Sequence, residues 1–264
     1  MSHNTPTSEI PFEPKCNICG DDGYIIRTNE DGQRYTEKCA CKIAAESENR
    51  IRYSGLAHVL DTWTLDAFVV NEPWQERMKD TAVRFTEAVK AGQKPWFFIG
   101  GAVGSGKSHL CTAICGELLK TRFTVRYFQW LTDARKLKGY AAEPEEYEEL
   151  LHRFNRANIL YIDDLFKSKR NDGSGLNPSD ADIKLAFELL NGRYVENKIV
   201  VISSEWLLTS DLMDIDEGTF SRVFEKTRGF RVEVKREKGR NFRMVDAREL
   251  RESEERGNHE KQHI

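Results

Sequence analysis

One stretch, GGAVGSGKSHL at residues 100–110, narrows the possible folds more than any other. Gly101, Gly106, Lys107 and Ser108 stand at the spacing G-x-x-x-x-G-K-[ST]. In that pattern the glycines let backbone N–H groups close around a phosphate at a helix N-terminus, whose dipole favours an anion. The flanks supply the context this requires. PWFFI upstream is a short apolar run bounded by turn residues, as in a strand buried on both faces. HLCTAICGELLK downstream sets Leu110, Ile114, Leu118 and Leu119 at helical spacing. Average residue frequencies give such a match by chance in about one chain in a hundred of this length, and the flanking strand and helix lower that further. The loop predicts a nucleotide site. Gly101, Ala102, Val103, Gly104, Ser105, Gly106 and His109 would surround the phosphates, with Lys107 reaching the β and γ phosphates and Ser108 ligating Mg²⁺.

A phosphate loop needs partners from other strands. NILYIDDL carries an apolar strand, Ile159 to Ile162, ending in Asp163 and Asp164, which belongs beside the loop in a parallel sheet. Asp163 is the expected Mg²⁺ partner. Asp164 is expected to orient or deprotonate the attacking water, since phosphoryl transfer asks for a positioned nucleophile more than for covalent help. KIVVISSEW is another buried-strand run, with Ser203 and Ser204 at its C-terminal end, where open α/β sheets bind ligands. Ser204 is the candidate for sensing the γ-phosphate or its water. Arg222, Arg228 and Arg243 follow on a helix and a strand. Nothing near the loop otherwise offers a guanidinium for charge developing on the γ-phosphate.

Four of the six cysteines fall in the first 41 residues. Cys16 and Cys19 in CNICG have the C-x-x-C spacing of a metal knuckle, and KCACK adds Cys39 and Cys41 as C-x-C. Between them, Tyr24 to Thr28 and Arg34 to Thr36 favour strands around a turn at Asn29, Asp31 and Gly32, which predicts a hairpin. So short a piece cannot bury enough apolar surface to fold alone. Four thiolates closing a structural Zn²⁺ site would supply the missing free energy. A disulfide pair and free thiols are the competing readings. Cys111 and Cys115, one helical turn apart, read as core packing.

A length of 264 residues holds one good-sized domain and a small appendage. The expected fold class is α/β, a phosphate-loop core with a parallel sheet preceded by a small zinc-binding hairpin. The expected divisions are a zinc module over 1–45, a polar linker over 46–62, the main domain over 63–245 and a charged tail over 246–264. A net charge of −3 excludes a molecule that grips nucleic acid over its whole surface. A local patch remains open to it: Lys167, Lys169 and Arg170 lie in a turn-rich loop that reads either as an exposed connector or as a contact for single-stranded DNA. Tyr127, Phe128 and Trp130 would be stacking residues in the second case and core in the first. No apolar run reaches the roughly 18 residues that span a bilayer, and the first residues lack the order of a signal peptide, so the expected location is cytoplasmic.

GKSHL, ILYIDDL, NGRYVENKIVVISSEW, SRVFE and NFR occur in an order and at spacings that resemble the DnaC/DnaI family of AAA+ helicase loaders and the related IstB transposase helpers. The resemblance covers Trp63 to Val245. It implies a AAA+ ATPase core with Lys107 and Ser108 as Walker A ligands and Asp163 and Asp164 as the Walker B pair. It also makes Arg222 a finger acting on a neighbouring subunit and Arg243 a second sensor. ATP and Mg²⁺ would be the cofactors, self-association would complete the site, and the partners would be a hexameric replicative helicase and single-stranded DNA. The cysteine front resembles the zinc-binding module with which DnaI-type loaders dock on the helicase, and which IstB-type helpers lack. Two positions depart from the family. Its first sensor is usually Asn, where this chain offers Ser204 or the acidic Glu205, and Lys226 and Arg228 lie within two helical turns of Arg222. The implied activity is loading of the replicative helicase at replication initiation, with slow, partner- or DNA-stimulated hydrolysis. An IstB-like transposase helper and a nucleotide-gated adaptor without turnover are the alternatives.

Overall fold

A computed structural model describes residues 16–167, 177–237 and 239–244, which fall into two compact units divided between Asn49 and Arg50. The first contains β1 (Tyr24–Thr28) and β2 (Arg34–Lys38), paired antiparallel with Tyr24 opposite Lys38 and Thr28 opposite Arg34. The turn closes as expected: the Asn29 side chain accepts from the Gln33 backbone N–H at 2.7 Å, and Gly32 takes the left-handed φ of 77°. α1 (Ala40–Ser54) follows directly, and Gly55, at φ 90°, ends it.

The second unit is built on five parallel strands: β3 (Phe97–Gly101), β4 (Val125–Gln129), β5 (Ile159–Leu165), β6 (Ile199–Ser204) and β7 (Arg231–Val234). Their order is β4-β5-β6-β3-β7, so the strand leading into the phosphate loop is flanked on both sides. The helices are α2 (Pro73–Lys90), α3 (Lys107–Leu119), α4 (Arg135–Gly139), α5 (Pro144–Asn155), α6 (Asp180–Val195), the one-turn α7 (Met213–Ile215) and α8 (Glu217–Lys226).

Strand alternation sorts the core onto two faces. Phe97, Ile99, Tyr161 and Val201 pack with Phe85 of α2 and Leu110 and Ile114 of α3. Phe98, Leu160, Ile162, Val200 and Ile202 pack with Leu185 and Leu189 of α6 and Phe220 of α8. Burial on both faces is why these strands read as unbroken apolar runs. Cys111 and Cys115 are fully buried on the first face, as expected. Arg193 of α6, with no exposed surface, donates to the carbonyls of Ala157, Asn158 and Ile199. It thereby ties together the entries to β5 and β6, whose far ends carry the site.

The expected linker over 46–62 is corrected. Its first half is helical within α1, and Leu56, 1% exposed, joins the first core face with Ile51, Val59 and Leu60 packed against it. These few inward residues are spread among charged ones, so the stretch reads as polar although it is packed. Val245, the tail over 246–264, Lys169 and Arg170 lie outside the described residues. Among the described residues no helix is long and apolar enough to cross a membrane.

Candidate nucleotide site

The loop between β3 and α3 is shaped by contacts that only glycine permits. A Cβ on Gly101, at φ 105°, would stand 2.0 Å from the Val234 carbonyl oxygen, and one on Gly106, at φ 90°, would meet the Phe68 ring at 2.6 Å. Gly106 caps α3 without a side-chain hydrogen bond, which leaves the first-turn N–H groups and the helix dipole facing the loop. Lys107 is 6% exposed, and its Nζ donates to the carbonyls of Gly101 at 3.0 Å and Ala102 at 2.7 Å. Burial lowers its pKa, and the charges of Asp164 and Glu205 oppose that shift.

Beneath the loop, Ser108 Oγ donates to Asp163 Oδ1 at 2.9 Å. The same carboxylate accepts Tyr161 Oη at 2.7 Å and Ser203 Oγ at 2.5 Å on Oδ1, and Tyr127 Oη at 2.9 Å on Oδ2. Burial and then the Asp163 charge push both phenols upward, so they remain protonated donors. A serine hydroxyl and a carboxylate, hard oxygens side by side at a phosphate loop, fit Mg²⁺, which takes few protein ligands and fills the rest with phosphate and water.

Asp164 reaches the same end of the sheet by a different route. Plain alternation would turn it away from Asp163. The β5–β6 register slips between Ile162 and Leu165, and Asp164 and Phe166 adopt φ of 55° and 64°, left-handed conformations that cost energy for non-glycine residues. The bulge re-aims Asp164 to the cleft wall. Burial, then the charge of Asp163, raise its pKa, while Lys167, whose Nζ lies 3.4 Å from Oδ2, pulls it back.

The cleft so formed has a volume of about 390 Å³, enough for a nucleotide-sized ligand. Part of its wall is aromatic: His109 stacks on Trp63 at 5.9 Å and 13°, meets the edge of Phe68 at 5.4 Å, and places Nε2 2.8 Å from the Thr64 carbonyl. The wall also carries the charged groups Lys107, Asp164, Lys167 and Glu205. Phe242 and Arg243 complete the wall, and the Phe242 N–H donates to the Gly104 carbonyl at 2.9 Å. Aromatic surface together with cations and metal-binding oxygens in one cleft suits a ligand that carries both a ring and a phosphate chain.

Of the expected residues, Val103 through His109, Asp164 and Arg243 line the cleft, Asp163 lies behind it, and Gly101 and Ala102 turn their carbonyls to Lys107. The placement of Ser204 is corrected: it is fully buried on the opposite face of the sheet, donating to the Leu165 carbonyl at 2.9 Å and accepting from the Trp206 N–H. Ser203 faces Asp163 instead, and Glu205 lines the cleft. Arg222 is outside the cleft wall, half-buried on α8, donating to the Gly218 carbonyl beside the Tyr194 ring. Arg228 is exposed just past α8. The stacking role for Phe128 and Trp130 fails, because both are buried, and Tyr127 is engaged by Asp163. Sequence reasoning missed Phe68, Val69 and Tyr161, and it named Lys167 and Tyr127 for single-stranded DNA, whereas the structure sets Lys167 in the cleft wall and Tyr127 on Asp163. Tyr161 alone had a signal, since it is two residues before Asp163 and so shares its face.

In the first unit the four sulfurs of Cys16, Cys19, Cys39 and Cys41 lie within 4.8 Å of one another, with Cys16–Cys39 at 3.7 Å and Cys19–Cys41 at 3.5 Å. Four thiolates at about 2.3 Å from a tetrahedral zinc would stand about 3.8 Å apart, so the cluster fits that ion. The Gly23 N–H donates to Cys19 Sγ at 3.3 Å. Backbone N–H groups of Cys19 and Ile18 lower the Cys16 thiol to about 7, whereas hydrogen bonding to Cys19 and burial push Cys41 up to about 12. Metal binding here must therefore displace protons.

No family model matches the chain. The phage-like element PBSX protein XkdC of Bacillus subtilis strain 168 is 29% identical over 228 residues, covering 83% of this chain and 82% of that protein. A crystal structure of the DnaC helicase loader matches with a TM-score of 0.50 at 19% identity, over 67% of this chain and 98% of that one. AMPPCP-bound DnaA from Aquifex aeolicus matches with a TM-score of 0.51 at 21% identity, over 72% of this chain and 55% of that one. The fold is the AAA+ P-loop fold. The expected likeness to DnaC-type AAA+ proteins is therefore present at the level of the fold, and the AAA+ cleft lies at the C-terminal ends of β3, β5 and β6.

Proposed function

We propose that this chain binds and slowly hydrolyses ATP and uses it to load a hexameric replicative helicase onto single-stranded DNA when replication starts. The observation that carries the ATP reading is the Ser108–Asp163 contact directly beneath the phosphate loop, in a cleft that aromatic side chains also line. Ser108 and Asp163 would hold Mg²⁺, which shields phosphate charge when bound. Lys107 binds the β and γ phosphates, and Asp164 takes the proton from a water whose oxygen attacks the γ-phosphorus as the β–γ bridging bond breaks. Arg243 senses the nucleotide in cis from the cleft wall. Self-association completes the site, with Arg222, which stands outside the cleft wall, serving a neighbouring subunit's ATP; its position is compatible with that role.

Likeness to the DnaC helicase loader supports the loading role, and the four-cysteine unit ahead of the AAA+ core supplies a zinc-stabilised surface for docking on the helicase. A second reading, a nucleotide-gated adaptor without turnover, draws on one observation: Asp164 is already paired with Lys167 in the cleft. The test is co-purification of the full chain with the replicative helicase of its host, with and without ATP, followed by phosphate release with and without single-stranded DNA. The loader reading expects an ATP-dependent complex and slow, stimulated release. No complex in either state contradicts loading, and a complex with no phosphate release favours the adaptor.

A further inference from the structure

The cleft contains a cation, Lys167, that no nucleotide-binding motif marks. Lys167 stands three residues after Asp164, and its ammonium group is shared between two carboxylates: it pairs with Glu205, just past β6, and lies 3.4 Å from Asp164 Oδ2. All three side chains are about two-thirds covered, at 33%, 31% and 32% exposed, so this is not a solvated surface bridge, which would be worth little. Glu205 is held in turn, since its backbone carbonyl accepts from Arg236 at 2.8 Å. Lys107 feels the charges of Asp164, Glu205 and Lys167 alike, so the four groups form one electrostatic cluster around the place where the end of a phosphate chain would lie.

This arrangement has an unused capacity. Lys107 is stabilised by loop carbonyls, and Lys167 by carboxylates, which are the groups that a phosphate oxygen most nearly replaces. A terminal phosphate carries about −1.5 to −2 charges, more than either carboxylate, and the four-carbon stem of lysine gives the ammonium group reach.

We propose that Lys167 distinguishes a nucleoside triphosphate from a diphosphate: with no γ-phosphate its ammonium is held by Glu205 and Asp164, and the γ-phosphate draws it off, freeing the Asp164 carboxylate for water. Glu205 sets the threshold by competing for the same ammonium. The inference rests on the ATP-site reading above and adds to it a residue role and a reason why Asp164 is paired in the absence of ligand.

The test is calorimetric titration of the full chain with Mg²⁺ and either AMPPCP or ADP, for wild type, Lys167→Met, Lys167→Arg and Glu205→Gln. Lys167→Met should weaken AMPPCP by about tenfold or more while changing ADP less than about twofold, the loss expected of one charge-assisted contact to the γ-phosphate alone. Glu205→Gln should tighten AMPPCP several-fold and by more than it tightens ADP, and Lys167→Arg should keep most of the wild-type ratio. A structural role would weaken both nucleotides together, so equal losses, or no loss, in Lys167→Met overturn the inference while the ATP site stands. Failure of the wild type to bind either nucleotide overturns both.

Discussion

Among residues 16–49 only Gly23 and Cys39 are buried, whereas every residue of β3 and β6 in the second unit is. The AAA+ unit holds itself together by apolar burial on both faces of a sheet. The cysteine unit has an antiparallel hairpin whose Ile26 and Tyr35 are exposed among the described residues. Two parallel readings of one sequence therefore need different physics: a hydrophobic run is its own warrant for a strand, while four cysteines are a warrant only if something bridges them.

The contrast can be broken in either unit. On the zinc reading the largest effect should come from the metal: chelation, or Cys39→Ser, should abolish the hairpin's ordered NMR signals outright, since structural zinc supplies roughly 10 kcal/mol or more in small modules. The main thermal transition of the AAA+ unit should stay where it was. A hairpin that keeps its dispersed spectrum after the metal is stripped would show that the cysteines do not hold it. The converse change is smaller. Ile162→Ala, which empties a fully buried site between Phe128 and Ile202, should cost about 2–5 kcal/mol in denaturant unfolding of the AAA+ unit and leave zinc stoichiometry intact.

What could be read from residue order alone follows the same divide. The buried strands were legible because burial on both faces leaves continuous apolar runs, and the phosphate loop because its glycines sit where backbone sterics demand them. Asp163 and Asp164 were legible as a pair, but not the bulge that brings Asp164 round, because a register slip depends on the neighbouring strand. Ser203 and Ser204 show the limit sharply. Alternation guarantees that they face opposite ways, yet which one meets Asp163 depends on how β6 pairs with β5, and neither strand encodes that by itself. Phe68 and Lys167 carry no motif, since an aromatic wall and a single lysine are defined only by what lies opposite. Leu56, Val59 and Leu60 were hidden by the charged residues around them.

The central claim is that the cleft is a phosphate-binding nucleotide site organised by Lys107. Calorimetric titration of Mg²⁺·ATP into the wild-type chain and into Lys107→Ala tests it most directly. On the proposed reading the buried ammonium binds the β and γ phosphates and should be worth at least about a hundredfold in affinity, so saturable wild-type binding should vanish in a variant that melts like the wild type. Equal affinity in the two chains would contradict the account.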